Sequence, residues 1–182
     1  MTAPRRDNRV WLLLFLAGIV LLSTGRWRFA SQAGGFTPAA QRSPPGELAL
    51  PQLGGGEWRL ADHRGQVVLI NYWATWCGPC REEVPGLAGV AGEFGPKGLA
   101  VVGVSLDDGR DVAARVQQFV SRYRVPYPIA FPAPVPRSLG PGDSVIPTTI
   151  LLDRQGRVVK RYVGAVERGD FARDVTALLA EN

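Results

Sequence analysis

A chain of 182 residues with 46% hydrophobic side chains has room for one domain of ordinary size plus extensions, and its apolar content excludes global disorder. The formal charge of +5 suggests a polyanionic partner until its placement is considered. Six of the 21 basic residues but only one of the 16 acidic ones precede Ser43, so the remainder is balanced at fifteen each and no nucleic-acid partner is expected.

The first element addresses the chain to a membrane. Residues 1–9 form a basic tail with Arg5, Arg6 and Arg9, expected on the cytoplasmic side. Val10 to Leu22 carries no charge or strong polar group, and the next charge is Arg26. Thirteen apolar residues are short for a full span, which wants roughly 17–25. Trp11 and Trp27 nevertheless bracket a stretch with plausible interface anchors, and no A-x-A cleavage site follows directly; Ser31-Gln32-Ala33 is a later and weaker candidate. Residues 10–27 are therefore read as a single-pass anchor of the inner membrane, with a cleaved signal peptide as the alternative. Residues 28–46, rich in Gly and Pro, read as a flexible tether to an extracytoplasmic (periplasmic) domain at 47–182.

Within that domain, Glu47–Leu53 and Glu57–Leu60 around Gly54-Gly55-Gly56 predict a short hairpin, and Asp62–Gly65 a turn. Val67–Trp73 and Leu99–Val104 are nearly continuous apolar runs, the mark of strands buried on both faces. Between them Val84, Leu87, Ala88 and Ala91 fall at helical spacing, as do Val112, Val116, Phe119, Val120 and Tyr123 after the second run. Pro126 to Pro147 holds seven prolines and reads as a long irregular segment. Thr148–Leu152 and Val158–Val163 flank Asp153-Arg154-Gln155-Gly156, an antiparallel hairpin, and Phe171, Val175, Leu178 and Leu179 mark a closing helix. This order predicts an α/β fold, a mixed central sheet with helices on both faces. Ligands of such sheets meet the carboxyl ends of the parallel strands, and Cys77 lies just past one of them.

Cys77 and Cys80 are the only cysteines. A close pair can be a structural bridge, half of a metal site, or a redox couple. Tetrahedral zinc wants four ligands, and the chain adds only His63, in a polar turn; no metal is expected. A bridge closing so small a loop constrains the unfolded chain little. The redox reading has a mechanism: Cys77 begins a helix, where free N–H groups and the dipole favour a thiolate, and Gly78-Pro79 suits a tight first turn. Cys77 is expected to be the exposed nucleophile, with a pKa on the order of 7 or lower. Cys80, one turn in and four residues before Val84, points at the core and is expected to resolve the mixed disulfide.

The stretch Leu69–Pro85, "LINYWATWCGPCREEVP", with "VVGVSLDD" and "IPTTILLDRQGRVV" in the same order, resembles the thioredoxin superfamily. The match is closer to its membrane-anchored TlpA-like branch, which includes the thioredoxins of cytochrome c maturation. The resemblance covers Glu47 to the C-terminus and implies a thioredoxin fold with an N-terminal hairpin extension. It implies that Cys77 attacks, that Cys80 resolves, that Trp76 shields Cys77, and that Pro147 is a cis proline facing the pair. Ile146, Pro147 and Thr148 are then expected to meet an extended substrate segment. Trp73 and Tyr72 are expected in the core. Asn71 stands where cytoplasmic thioredoxins carry a buried Asp, so Cys80 needs another base or water; Glu83 is a candidate, with a solvated helix Glu as the alternative. The expected activity is reduction of disulfides in exported proteins, with apocytochrome c as a candidate client and recharging by a membrane electron donor. The alternatives are a disulfide oxidase or isomerase, or a non-catalytic metal-binding or scaffold module. No cofactor beyond the Cys77–Cys80 disulfide and no oligomer beyond the monomer is expected.

Overall fold

The computed structural model describes residues 35–42, 46–141 and 145–181. The basic tail at 1–9, the anchor at 10–27 and the first part of the tether lie outside the described residues; among those described, no helix is long and apolar enough to cross a membrane.

Strands β1 (Ala49–Pro51) and β2 (Glu57–Arg59) form the expected antiparallel hairpin. Its connection runs through Gly54, Gly55 and Gly56, all at positive φ, a conformation that costs glycine nothing sterically. The central sheet has the order β5-β4-β3-β6-β7. Strands β3 (Val67–Trp73) and β4 (Leu99–Ser105) are parallel, β6 (Thr148–Leu152) runs antiparallel to β3, and β7 (Val158–Val163) pairs antiparallel with β6. Helices α1 (Gly78–Phe94), α2 (Val112–Tyr123) and α3 (Arg168–Leu179) cover the predicted periodic segments. Strand β5 (Ile129–Ala130), parallel to β4, lies inside the proline-rich segment that reads as irregular. Two residues between prolines carry too little pattern to betray a strand.

The expectation of helices on both faces is overturned. On one face Leu69, Val101 and Leu151 pack with residues from all three helices, among them Leu87, Phe119 and Val175. On the other face Ile70, Val102 and Ile150 lie under Leu50, Trp58 and Leu60 of the hairpin region and Leu139 of the proline-rich segment. The cause is the crossover rule: β3–α1–β4 and β4–α2–β5 step in the same direction, and right-handed crossovers then put both helices on one side. The Tyr72 hydroxyl donates to the Leu139 carbonyl and ties the proline-rich cover to β3.

The tether is also shorter than its composition suggests. Thr37 N–H donates to the Val159 carbonyl (2.9 Å) at the edge of β7, and Arg42 is buried between Asp153 (3.2 Å) and Glu181 (2.7 Å). A buried guanidinium with two carboxylates fixes the segment to the body, so residues 35–42 belong to the fold and not to a flexible linker.

Candidate active site

Strand β3 is buried along its whole length and delivers the turn Ala74–Cys77 to the carboxyl edge of the sheet. Cys77 N–H donates to the Ala74 carbonyl (3.2 Å) and closes the turn. Cys77 is the N-cap of α1, and its Sγ accepts the Cys80 N–H (3.2 Å). The two cysteines form a disulfide. A sulfur in the cap position meets the unpaired N–H groups of the first turn, the arrangement that favours a thiolate when the bond opens.

The expected contrast in exposure is not present in this disulfide form: Cys77 is 5% exposed and Cys80 1%. Cys77 folds back over the helix start, and its Sγ lies 3.8 Å from the Ile146 carbonyl oxygen. What distinguishes the two sulfurs is position, at the cap or one turn inside. Trp76, 65% exposed, stands at the rim next to Cys77. Val145 and Val163 are the other exposed large apolar residues among those described, and Thr148, three residues past Val145, pairs with Val163.

The Ile146–Pro147 peptide bond is cis, and the Ile146 main chain makes no backbone hydrogen bond among the described residues. Thr148 does not take the substrate-facing place expected of it. It is fully buried, pairs with Tyr72 and Val163, and its hydroxyl donates to the Val145 carbonyl (2.6 Å). It shapes the entry to β6 because its side chain falls on an inward position of that strand.

Below the disulfide lies a buried polar group. Asn71 Nδ2 donates to Glu83 Oε2 and to Thr149 Oγ1, both at 2.8 Å, and Asn71 Oδ1 has no partner among the described residues. Glu83 Oε1 accepts the Val166 N–H (3.0 Å). At 4% exposure Glu83 is not a solvated helix residue. Burial pushes its carboxyl up to about 7, against the downward pull of the Val166 and Asn71 hydrogen bonds. It can exchange a proton near neutrality and sits one helical turn past Cys80, the spacing that puts two side chains on one face.

Tyr127 was not singled out by sequence reasoning beyond its place in the proline-rich segment. It is buried, and desolvation together with the nearby charge of Glu83 raises the pKa of its hydroxyl. Gly103, the β4 partner of Asn71, makes room for it: a Cβ there would lie 2.9 Å from Trp73 Nε1 and 3.3 Å from Tyr127 Cε2. A lone glycine in a run of valines was the available signal. Trp73 is buried as expected, its ring 4.6 Å from that of Phe119.

The sequence profile described as the AhpC/TSA family matches residues 41–172. The chain is 25% identical over 174 residues to the thiol-disulfide oxidoreductase ResA of Geobacillus thermodenitrificans, covering 96% of this chain and 98% of that protein. Among solved structures it is similar to a DsbF homologue from Corynebacterium diphtheriae, with 30% identity, 85% of this chain and 100% of that chain covered, and a TM-score of 0.71. It is also similar to a secreted thiol-disulfide isomerase from Corynebacterium glutamicum, with 31% identity, 85% and 98% covered, and a TM-score of 0.71.

Proposed function

The chain belongs to the AhpC/TSA family and is a thioredoxin-like thiol–disulfide oxidoreductase, and from that premise we propose that it acts as a membrane-anchored reductant of disulfides in exported proteins. The observation that carries this reading is the placement of Cys77 at the cap of α1, with Cys80 one turn inside and Glu83 buried one turn further. In the reduced enzyme the Cys77 thiolate attacks a substrate disulfide and forms a mixed disulfide, releasing one substrate sulfur as thiolate. Glu83 accepts the Cys80 thiol proton, and the resulting thiolate attacks Cys77 Sγ. The second substrate thiol leaves, the substrate has gained two electrons, and the Cys77–Cys80 bond is restored. A dithiol donor in the membrane then reduces the couple again. An extended substrate lies along the main chain of Ile146, which makes no backbone hydrogen bond among the described residues, with Trp76, Val145 and Val163 offering apolar contact nearby. Apocytochrome c is a substrate that suits this reading.

The test is a trap. With Cys80→Ser, Cys77 is expected to stay covalently bound to a disulfide-containing client such as insulin, in a complex that a small dithiol releases; Cys77→Ser is expected to hold nothing. Capture through Cys80 instead of Cys77 would reverse the assignment. Sustained insulin reduction with an added dithiol would separate an enzyme from a scaffold that merely keeps two thiols. A second reading, disulfide isomerase, draws support from the similarity to the secreted isomerase.

The proposed anchor at residues 10–27 rests on the apolar run and its tryptophans. The mature protein is expected to begin near Met1 and to fractionate with membranes. An N-terminal sequence starting close to Gly34 would make the segment a cleaved signal.

A further inference from the structure

Asp107 is a buried carboxylate that the redox chemistry described above does not use. It lies two residues past the end of β4, and its side chain is closed off from solvent. One oxygen accepts the Thr75 N–H (2.9 Å) and the Ser105 hydroxyl (2.8 Å), while the other accepts the Thr75 hydroxyl. Arg115 Nε lies 3.5 Å from the same carboxylate, and its other nitrogens donate to the carbonyls of Asp108 (2.7 Å) and Arg110 (3.2 Å). Burial alone would raise the pKa of Asp107, but the bonds from Thr75 and Ser105 and the charge of Arg115 hold it below the usual carboxylate value. The group is therefore an anion whose oxygens are taken up by Thr75, through both its N–H and its hydroxyl, and by the Ser105 hydroxyl at the end of β4. Thr75 lies in the turn Ala74–Cys77, whose start is also held by Leu106 N–H donating to the Trp73 carbonyl (2.7 Å).

We infer that Asp107 is a positioning residue for the redox couple, clamping Thr75 so that Trp76 stands at the rim and Cys77 sits in the cap of α1. The inference rests on the reading of Cys77 as the attacking thiol. Thr75 is fixed through both its main chain and its side chain, so the turn cannot rotate without breaking two charge-assisted hydrogen bonds. Without the clamp, the Cys77 sulfur loses alignment with the Cys80 N–H and the helix terminus, which are what make it reactive at neutral pH.

The experiment measures, for the reduced protein, the pH dependence of Cys77 alkylation by iodoacetamide, together with kcat and KM for a disulfide-bonded peptide. The variants are Asp107→Asn, Thr75→Val and Thr75→Ser. In Asp107→Asn and Thr75→Val the midpoint of alkylation is expected to move to higher pH, slowing the reaction at pH 7 by about three- to tenfold, the scale of one ordinary hydrogen bond. KM for the peptide is expected to rise as Trp76 loses its place. Thr75→Ser, which keeps the hydroxyl, is expected to restore both values. The two disruptive variants separate position from charge. Asp107→Asn removes a negative charge and would by electrostatics alone move the midpoint down, whereas Thr75→Val leaves the charge in place. A downward shift in Asp107→Asn with no shift in Thr75→Val overturns the clamp. So do unchanged midpoints and KM in both variants, even if melting temperatures fall. Should Asp107→Asn not fold, the Thr75 pair decides. Failure of the unmodified protein to turn over the peptide would sink the reading of the couple instead.

Discussion

Equilibrated in defined dithiol/disulfide buffers at pH 7, the Cys77–Cys80 couple is expected to settle in the region of about −230 to −270 mV, the range of the reducing thioredoxin-like proteins. The reason lies in what surrounds the cap sulfur. The hydrogen-bond donor that Cys77 Sγ finds is the backbone N–H of Cys80, and its other close polar neighbour is the carbonyl oxygen of Ile146. Gly78 and Pro79, between the two cysteines, bring no cation. Stabilisation of the thiolate is then moderate, the reduced form gains little, and the disulfide is hard to reduce. Strong oxidants lie near about −120 mV. Since ~30 mV is a tenfold change for a two-electron couple, the two classes differ by roughly four to five powers of ten in equilibrium constant. A midpoint above about −180 mV would transfer the protein to the oxidase or isomerase reading.

Glu83→Gln is expected to slow the chemistry and strengthen the fold, and the two effects should separate with pH. The carboxylate lies buried one helical turn past Cys80, and burial pushes it up to about 7, near neutrality. Removing a positioned base of this kind slows proton transfer by roughly 10²–10⁴-fold, so resolution of the mixed disulfide near pH 7.5 is expected to fall by about 10²-fold or more. Stability moves the other way. Below the unfolded carboxylate value of 4.5 both states carry the proton and Glu83 contributes no pH dependence. Between there and about 7 the unfolded chain ionises while the folded one does not, so stability falls as pH rises. Above about 7 the folded protein bears the full cost of a buried anion, up to about 3 kcal/mol. Gln has no such cost. It can accept the Val166 N–H, and Asn71 can turn its unpartnered Oδ1 toward the new amide. Denaturant unfolding at pH 4.5 and pH 8, beside single-turnover release of a trapped peptide, checks both halves. Equal pH slopes for the two proteins, or an undiminished rate of release, would remove Glu83 from the mechanism.

The elements with strong local periodicity were legible: β3 and β4 as unbroken apolar runs, α1 to α3 by their spacing, and the β6–β7 hairpin by the turn ending in Gly156. The cysteine pair carried its chemistry in the same way, because a helix start is a local signal. The faces of the sheet were not legible, since the handedness argument needs the destination of each crossover and β5 hides between Pro128 and Pro132. Glu83 could be nominated by its spacing from Cys80, but its burial depends on the loop at Val166 closing over it from the other end of the domain. Asp107 reads as one of two loop acids. Only the pairing of Trp73 with Ser105, which aligns the ends of two strands, brings it to Thr75.

The docked segment from Gly35 to Arg42 moves the boundary of the folding unit. A fragment cut at Glu47, where composition changes, would strip Arg42 from Asp153 and Glu181 and leave the Val159 carbonyl at the sheet edge without Thr37. Asp153 would keep Arg157 (2.8 Å) but lose its buried cation, and Glu181 would lose its ion pair, leaving Arg154 on the Leu179 carbonyl (3.0 Å) to hold the end of α3. A fragment cut at Gly35 keeps all of these. The compact unit therefore begins at Gly35, and residues 35–42 are as much part of the protein's architecture as the strand that they brace.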